Sequence, residues 1–420
     1  MSSAFLTKHP LLLLLSIAPA VLAAGLLAIS FHPPVYKRIA KWRLPALIVV
    51  YIVTRFVLFY VVFIALGNRE IGGDIRWFQR FGLGPLHGHV PYRDFVCLHS
   101  PLFPYIMAIP YGIWGHVSSG VLAFIAFDIA CILLLCSLTR SMLGSDRVLD
   151  IAWLYTLNPM VWIVTVRYGQ DESVVCCFLL LAVYLYLKDS KWLAPTSLAL
   201  GVLCTKFTTA VGMLPIFSCS KSKVRDAFVA GGILVVTYAF FYTLVGKDIL
   251  QPARHQALAT EGVSITCIVD RLLISDNSHV ILQRIACLLS VLVLCLVLYL
   301  AHRRKLHVLD ILTVSLVAFL LLSPVSYKFY RLWYLGPLGI YALRSSGINR
   351  YSIYMTLLVL FDDFSFGLVS PPAKLYPMAV LAAGIVYFEA GYVIEILRGG
   401  PLACAETTNV PVQDKVPAGV

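Results

Sequence analysis

The sequence predicts an all-α polytopic membrane protein, and three observations carry that prediction. Hydrophobic residues make up 60% of the 420 residues and charged residues only 13%, with a mean hydropathy of +0.86. A soluble domain is nearer half apolar and a quarter charged. Apolar runs of helix-spanning length recur along the whole chain, near residues 10–31, 45–66, 118–139, 149–166, 172–187, 192–218, 227–245, 280–301, 306–325, 329–344, 351–369 and 375–396. Alternating strand patterns of about ten residues, the mark of a membrane β-barrel, are absent.

Loop charge orients these runs. The net charge is +12, and the basic loops are "KRIAKWR" (Lys37–Arg43), "RSMLGSDR" (Arg140–Arg147), "KDSK" (Lys188–Lys191), Lys221–Arg225, His302–Lys305 and "RSSGINR" (Arg344–Arg350). The positive-inside rule places them together in the cytoplasm. The arrangement closes when 192–218 forms a hairpin of two short helices turning near Lys206, which half-penetrating helices permit where the break lines a polar cavity. The count is then about 11–13 crossings. The first run contains "PAVLAAG", which offers the small residues of a signal-peptide cleavage site. Cleavage would leave "KRIAKWR" outside, so an uncleaved first helix is expected. Residues 1–400 are expected as a single transmembrane domain with a large first extracytoplasmic loop at 67–117. Residues 401–420 are expected as a disordered cytoplasmic tail.

Composition also excludes classes. No basic stretch is interleaved with aromatics in the manner of nucleic-acid binding. No glycine-rich phosphate loop follows a strand, so a soluble nucleotide has no home. The eleven cysteines lie mostly in apolar runs such as "CILLLC" and read as small core residues. No Cys-x-x-Cys pair suggests a metal, and no cofactor is expected. Cys97 and Cys267 could pair across an oxidising side.

The stretches facing away from the basic loops are 67–117, 167–171, the turn at Lys206, 246–279, 323–330 and 370–374. The unusual polar residues converge there. "RYGQDES" supplies Arg167, Gln170, Asp171 and Glu172; "SPVSYKFYRLWY" supplies Lys328, Tyr330, Arg331 and Trp333. Each has a plain reading and a functional one. Asp74 precedes "IRWFQRF", whose Trp77, Phe78 and Phe81 have helical spacing and would lay a short helix on the bilayer. Asp74 is then either a helix cap or a general base toward a hydroxyl. Arg55 lies inside "LIVVYIVTRFVLFYVVF"; it either serves the site or pairs with a carboxylate such as Asp74 or Asp171. Arg93 and Asp94 stabilise a turn or touch substrate, and His99 is an ordinary loop residue or a ligand. Asp171 and Glu172 open a helix, as dipole partners or as hydrogen-bond acceptors for sugar hydroxyls. Lys206, at a helical break, needs a counter-charge that a lipid-linked phosphate would supply. Lys328 and Arg331 either do the same or anchor at the interface.

Several motifs together resemble the GT-C superfamily of integral-membrane glycosyltransferases. They are "TRFVLFY", "GGDIRWFQRF" with "PYRDF" and "SPLFPY", "LNPMVWIVTVRYGQDES", "LALGVLCTKFTTAVGMLPI" and "SPVSYKFYRLWYLGPL", in family order from Arg55 to Pro337. The pattern is similar to the transferases that add the first mannose to glycosylphosphatidylinositol anchors, and equally to prokaryotic polyprenyl-phosphate hexosyltransferases. The resemblance implies a GT-C-like bundle and inverting transfer of a hexose, mannose first, from a dolichyl- or polyprenyl-phosphate donor to a lipid- or protein-linked acceptor, without a metal. It maps the base onto Asp74, and substrate contacts onto Arg55, Arg93, His99, Arg167, Gln170, Asp171, Glu172, Lys206, Tyr330 and Arg331. The anchor enzymes usually carry Asp-x-Asp in the first loop, whereas Arg76 occupies the second position here. The implied location is the endoplasmic reticulum membrane in a eukaryote or the plasma membrane in a prokaryote, with room for a partner subunit. A transporter and a non-catalytic glycosylation subunit are the competing readings.

The charge tally makes a direct prediction. A cysteine introduced at Thr260 should react with an impermeant thiol reagent in intact cells, and one at Ser222 should not. Labelling at Ser222 from outside would overturn the assigned orientation.

Overall fold

Apolar stretches become helices almost throughout, because backbone polar groups away from water must be satisfied within the chain. The computed structural model describes residues 25, 35, 42–67, 74–257, 261–273, 279–345, 347–366 and 371–399. The expected first helix, most of "KRIAKWR", Gly72–Gly73 and the tail at 401–420 lie outside the described residues. Among the described residues, the strands are a two-residue parallel pair, Glu261–Gly262 with Val325–Ser326.

Among the described residues, five helices are long and apolar enough to cross a membrane: Arg43–Ala65, Ser119–Leu143, Lys223–Arg254, Ile281–Arg303 and Met378–Arg398. A sixth arises if Ser145–Leu157 and Pro159–Arg167, bent by 54°, form one broken span. Shorter apolar helices account for other runs, among them Phe103–Ile113, Glu172–Leu187, Leu193–Leu203, Phe207–Cys219 and Val308–Leu322. The expected 11–13 crossings counted every run alike. The described structure divides them into full-length spans and short interior helices, which is tolerable because short or broken helices can be buried in protein.

Burial separates the two kinds. Every residue from Leu332 to Leu343 is buried, and this helix packs against Ser119–Leu143, Val148–Leu157, Glu172–Leu187, Val308–Leu322 and Ile348–Phe366. A helix apolar all round belongs in such an interior. Lys223–Val245 instead exposes Phe228, Val235, Val236, Phe240 and Tyr242, an outward apolar surface suited to lipid. Because lipid tails are as apolar as leucine, burial between such helices gains little, and packing and polar contacts hold them.

One such contact is a fully buried ion pair. Arg55 Nε lies 3.0 Å from Asp128 Oδ2, with both side chains at zero exposure. Arg55 Nη1 donates to the Thr156 carbonyl at 3.0 Å, and the Tyr51 hydroxyl donates to Asp128 at 3.0 Å. Arg55 is therefore a strut joining three helices, with a partner other than the two carboxylates expected. Removing one member of a buried pair typically costs about 3–5 kcal/mol, because the other charge stays behind. Asp128→Ala and Arg55→Met should each lower the unfolding temperature in detergent strongly. The Arg55→Met/Asp128→Leu double variant should lose less than the two single losses combined; strict additivity would show that the pair does not couple.

Candidate functional site

Three breaks in helical structure bring the polar residues together. The first is at Asn158–Pro159. Proline cannot donate to the preceding turn and disfavours helical geometry before it, so Asn158 is extended and its side chain caps the new helix by accepting from Met160 N at 3.0 Å. The bend starts the segment that ends at Gly169.

The second break is at Gly169, whose φ of +57° suits a residue without Cβ. A Cβ there would also stand 2.9 Å from Val121 and 3.0 Å from Ile75. The Gln170 N–H returns to the Val164 carbonyl at 3.0 Å. This tight turn presents Gln170, Asp171 and Glu172 in succession, and Glu172 opens the next helix at its positive end.

The third break is the expected one at Lys206, which stands extended between Leu193–Leu203 and the 3₁₀ turn Phe207–Gly212. A helix C-terminus leaves carbonyls without partners. Here the first loop supplies two donors: Leu102 N to the Leu203 carbonyl and Ser100 N to the Thr205 carbonyl, both at 3.0 Å. The loop carrying His99 is thereby stitched to the break carrying Lys206.

The charged groups meet at this junction. Lys206 Nζ lies 2.8 Å from Asp171 Oδ1 and 2.6 Å from Glu172 Oε1, with both carboxylates fully buried. His99 Nε2 lies 3.4 Å from Asp171 Oδ2, and its ring stacks on Phe103 with centroids 4.2 Å apart. Burial alone would raise the Asp171 carboxyl, but Lys206 and His99 hold it well below the usual carboxylate range. The lysine is also 5.2 Å from the Tyr330 ring centroid, a favourable cation–π placement. The Tyr330 ring stacks on Trp333 at 4.6 Å. Tyr330 is within electrostatic reach of Lys206, Glu172, Asp171 and Asp74.

Asp74 completes the group from the other side. It precedes the Ile75–Leu86 helix, but its side chain makes no capping bond. It accepts instead from Gln170 Nε2 at 2.8 Å. Asp74 is exposed, unlike Asp171 and Glu172. Its helix is seated by protein, not by the bilayer as the aromatic pattern suggested. Phe78 and Phe81 are each 2% exposed and pack on His99 and Phe103, leaving Trp77 outward at 43%. Gly82 permits this seating, since a Cβ there would meet the Met107 carbonyl at 2.7 Å.

The structure thus gathers Asp74, His99, Gln170, Asp171, Glu172, Lys206 and Tyr330. Arg167 lies beside them with its guanidinium 5.1 Å from the Tyr168 ring centroid, and Lys328 Nζ is 5.1 Å from the same ring. Three expected contacts are placed differently. Arg55 is the strut described above. Arg93 is exposed and bonded to Asp94 at 2.9 Å and 3.0 Å; Asp94 also accepts from Val90 N at 2.7 Å. The Arg93 hydrogen bond pulls the Asp94 carboxyl down to about 2, which is the turn-stabilising role. Arg331 is fully buried with its Nε 3.0 Å from Glu389 Oε1, and it also donates to the Ser326, Tyr327 and Val263 carbonyls. It locks the loop that carries Tyr330. The Cys97 and Cys267 thiols are directed at the His99 and Pro324 carbonyls, not at each other.

Sequence reasoning missed Asp128 and Glu389. Each is a carboxylate inside an apolar run, "AFDIAC" and "YFEAGY", and intramembrane acids need a named partner. That rule would have flagged both as members of buried pairs, without naming Arg55 and Arg331 as their partners.

The Gly169 turn can be tested on the fold alone. Gly169→Ala adds a Cβ in the left-handed region and into Val121 and Ile75, and should destabilise by about 1–3 kcal/mol. Gly231→Ala, inside a helix with nothing within 4 Å, should leave stability unchanged or raise it slightly. Equal denaturation midpoints for both variants would remove Gly169 as the constraint.

Comparisons with known proteins overlap much of this constellation. The family profile described as glycosyltransferase family 87 matches residues 98–324, more than half of the chain. Its span contains His99, Gln170, Asp171, Glu172 and Lys206. GPI mannosyltransferase 1 of Saccharomyces cerevisiae is 28% identical over 105 residues, 25% of each chain. GPI mannosyltransferase 1 of Kluyveromyces lactis is 24% identical over 270 residues, 59% of this chain and 66% of that protein. The chain spans less than two thirds of the length of either relative. A polytopic helical bundle carries a family match across most of its polar junction: the chain belongs to glycosyltransferase family 87.

Proposed function

We propose that this enzyme transfers a hexose, mannose first among candidates, from a dolichyl- or polyprenyl-phosphate donor to a lipid- or protein-linked acceptor on the extracytoplasmic face. The observation that carries the reading is the Gln170–Asp74 hydrogen bond beside the Asp171–Lys206–Glu172 cluster. The relatives' names support the sugar, and the separation of the site from the basic loops supports the face. Asp74 is the base in this reading. It is the exposed carboxylate of the group, oriented by a neutral donor, whereas Asp171 and Glu172 are buried against Lys206. Asp74 takes the acceptor hydroxyl proton, the acceptor oxygen bonds to the anomeric carbon, and the bond from that carbon to the phosphate oxygen breaks. One displacement inverts the centre. Asp171 and Glu172 accept from sugar hydroxyls, and Tyr330 with Trp333 offers an aromatic platform. Arg76 in place of a second aspartate favours a metal-independent reaction.

Lys206 acquires a more constrained role than a free phosphate ligand. It is already shared between two carboxylates, so a donor phosphate must compete for it or draw on Lys328 nearby. Preorganised charge at the departing phosphate stabilises the transition state.

The test is transfer by purified protein from radiolabelled polyprenyl-phosphate mannose, with glucose and arabinose donors in parallel. Asp74→Asn keeps size and should insert normally yet lose about 10²–10⁴-fold in rate. Asp94→Asn should keep most turnover; near-normal turnover in Asp74→Asn would shift the base to Asp171 or Glu172. Lys206→Met should raise the donor KM roughly ten- to a hundredfold with a smaller effect on the acceptor. A change confined to acceptor KM and stability would make Lys206 only the counter-ion of the two carboxylates.

A further inference from the structure

At the other end of the bundle, helices terminate in cations. Arg344 ends the Leu332–Arg344 helix, Arg350 lies in the first turn of Ile348–Phe366, and Arg398 ends Pro371–Arg398. The Leu332–Arg344 helix, 13 residues long, separates this end from Tyr330 by about 20 Å at the α-helical rise. A cleft of about 670 Å³ opens here, lined by Tyr341, Arg350, Tyr387, Gly391, Glu395 and Arg398 among others.

The cleft has a built polar wall. Arg350 Nη1 donates to Glu395, and its guanidinium carbon is 4.5 Å from the Tyr392 ring centroid. The Tyr341 hydroxyl donates to the same Glu395 at 3.1 Å. Gly391 leaves room for the arginine, since a Cβ there would meet Arg350 Nη2. Arg398 is exposed at the rim, and no ion pair to it occurs among the described residues. Two guanidinium groups against one carboxylate leave a net positive charge at the mouth.

An apolar track leads away from it. Ile394, Tyr387 and Val380 are exposed at 48%, 74% and 71%. Their spacing of seven residues keeps them on one face of the Pro371–Arg398 helix, within the stretch Met378–Arg398 that is apolar enough to span a membrane. A headgroup at the cations and an acyl chain along this face are continuous.

We propose that this cleft binds an anionic membrane phospholipid, its phosphate between Arg350 and Arg398 and one chain along Ile394, Tyr387 and Val380. The charge selects a phosphate, and the track selects a lipid over a free anion. Basic pockets between helices at a membrane surface recognise anionic headgroups in this manner. The site is separate from the sugar-transfer junction and does not rest on the function proposed above.

The experiment places the full-length protein in phosphatidylcholine nanodiscs containing a minor fraction of phosphatidylglycerol, and counts retained lipids by native mass spectrometry. Phosphatidylglycerol should be retained selectively, and millimolar inorganic phosphate should not release it. Arg398→Gln, which breaks no ion pair among the described residues, should reduce retention by roughly tenfold, and Arg398→Lys should restore part of it. Arg350→Gln should act in the same direction. Indiscriminate retention of both lipids, unchanged retention in Arg398→Gln, or release by inorganic phosphate would each overturn the proposal.

Discussion

A lysine ammonium inside a helical membrane bundle needs a counter-charge, and Lys206 has two, Asp171 at 2.8 Å and Glu172 at 2.6 Å. The contact joins a helix break to the start of another helix, so each holds the other's irregular backbone in place. The first loop depends on it as well. His99 reaches Asp171 only because Ser100 and Leu102 donate to carbonyls freed by the break. Gln170, one residue before Asp171, then fixes the carboxylate of Asp74. A chain of local satisfactions, each required by the absence of water, ends at one exposed carboxylate beside buried ones.

Other buried charges obey the same rule with a different outcome. Arg55 and Asp128 neutralise each other at zero exposure, as do Arg331 and Glu389. Glu389 also accepts from the Tyr334 and Tyr354 hydroxyls, at 2.7 Å each. These networks join helices, and their charged members are fully buried. The Lys206 junction is adjacent to an exposed aspartate and a tyrosine–tryptophan stack. Pairing alone therefore does not mark a reactive site.

The two ends of the bundle divide labour by charge. The junction end concentrates acids and a single shared lysine against aromatic rings, a composition suited to hydroxyl-rich molecules. The opposite end gathers guanidinium groups, with Arg344 paired to Asp310 and Arg350 to Glu395. Family membership fits the first end, because a glycosyltransferase must hold polyols near a carboxylate.

The sequence by itself determined the class of fold, the break at Lys206 and the identity of most residues at the junction. Hydrophobicity and local motifs such as Gly169–Glu172 encode these directly, since each depends on neighbours along the chain. Tertiary structure decided which charges are partners. Arg55 and Asp128 lie 73 positions apart and Arg331 and Glu389 lie 58 apart, so their pairing depends on how helices cross. It also decided that Phe78 and Phe81 face protein and not lipid. Aromatic spacing cannot distinguish the two, because in a membrane both surroundings are apolar and only the packed neighbours differ.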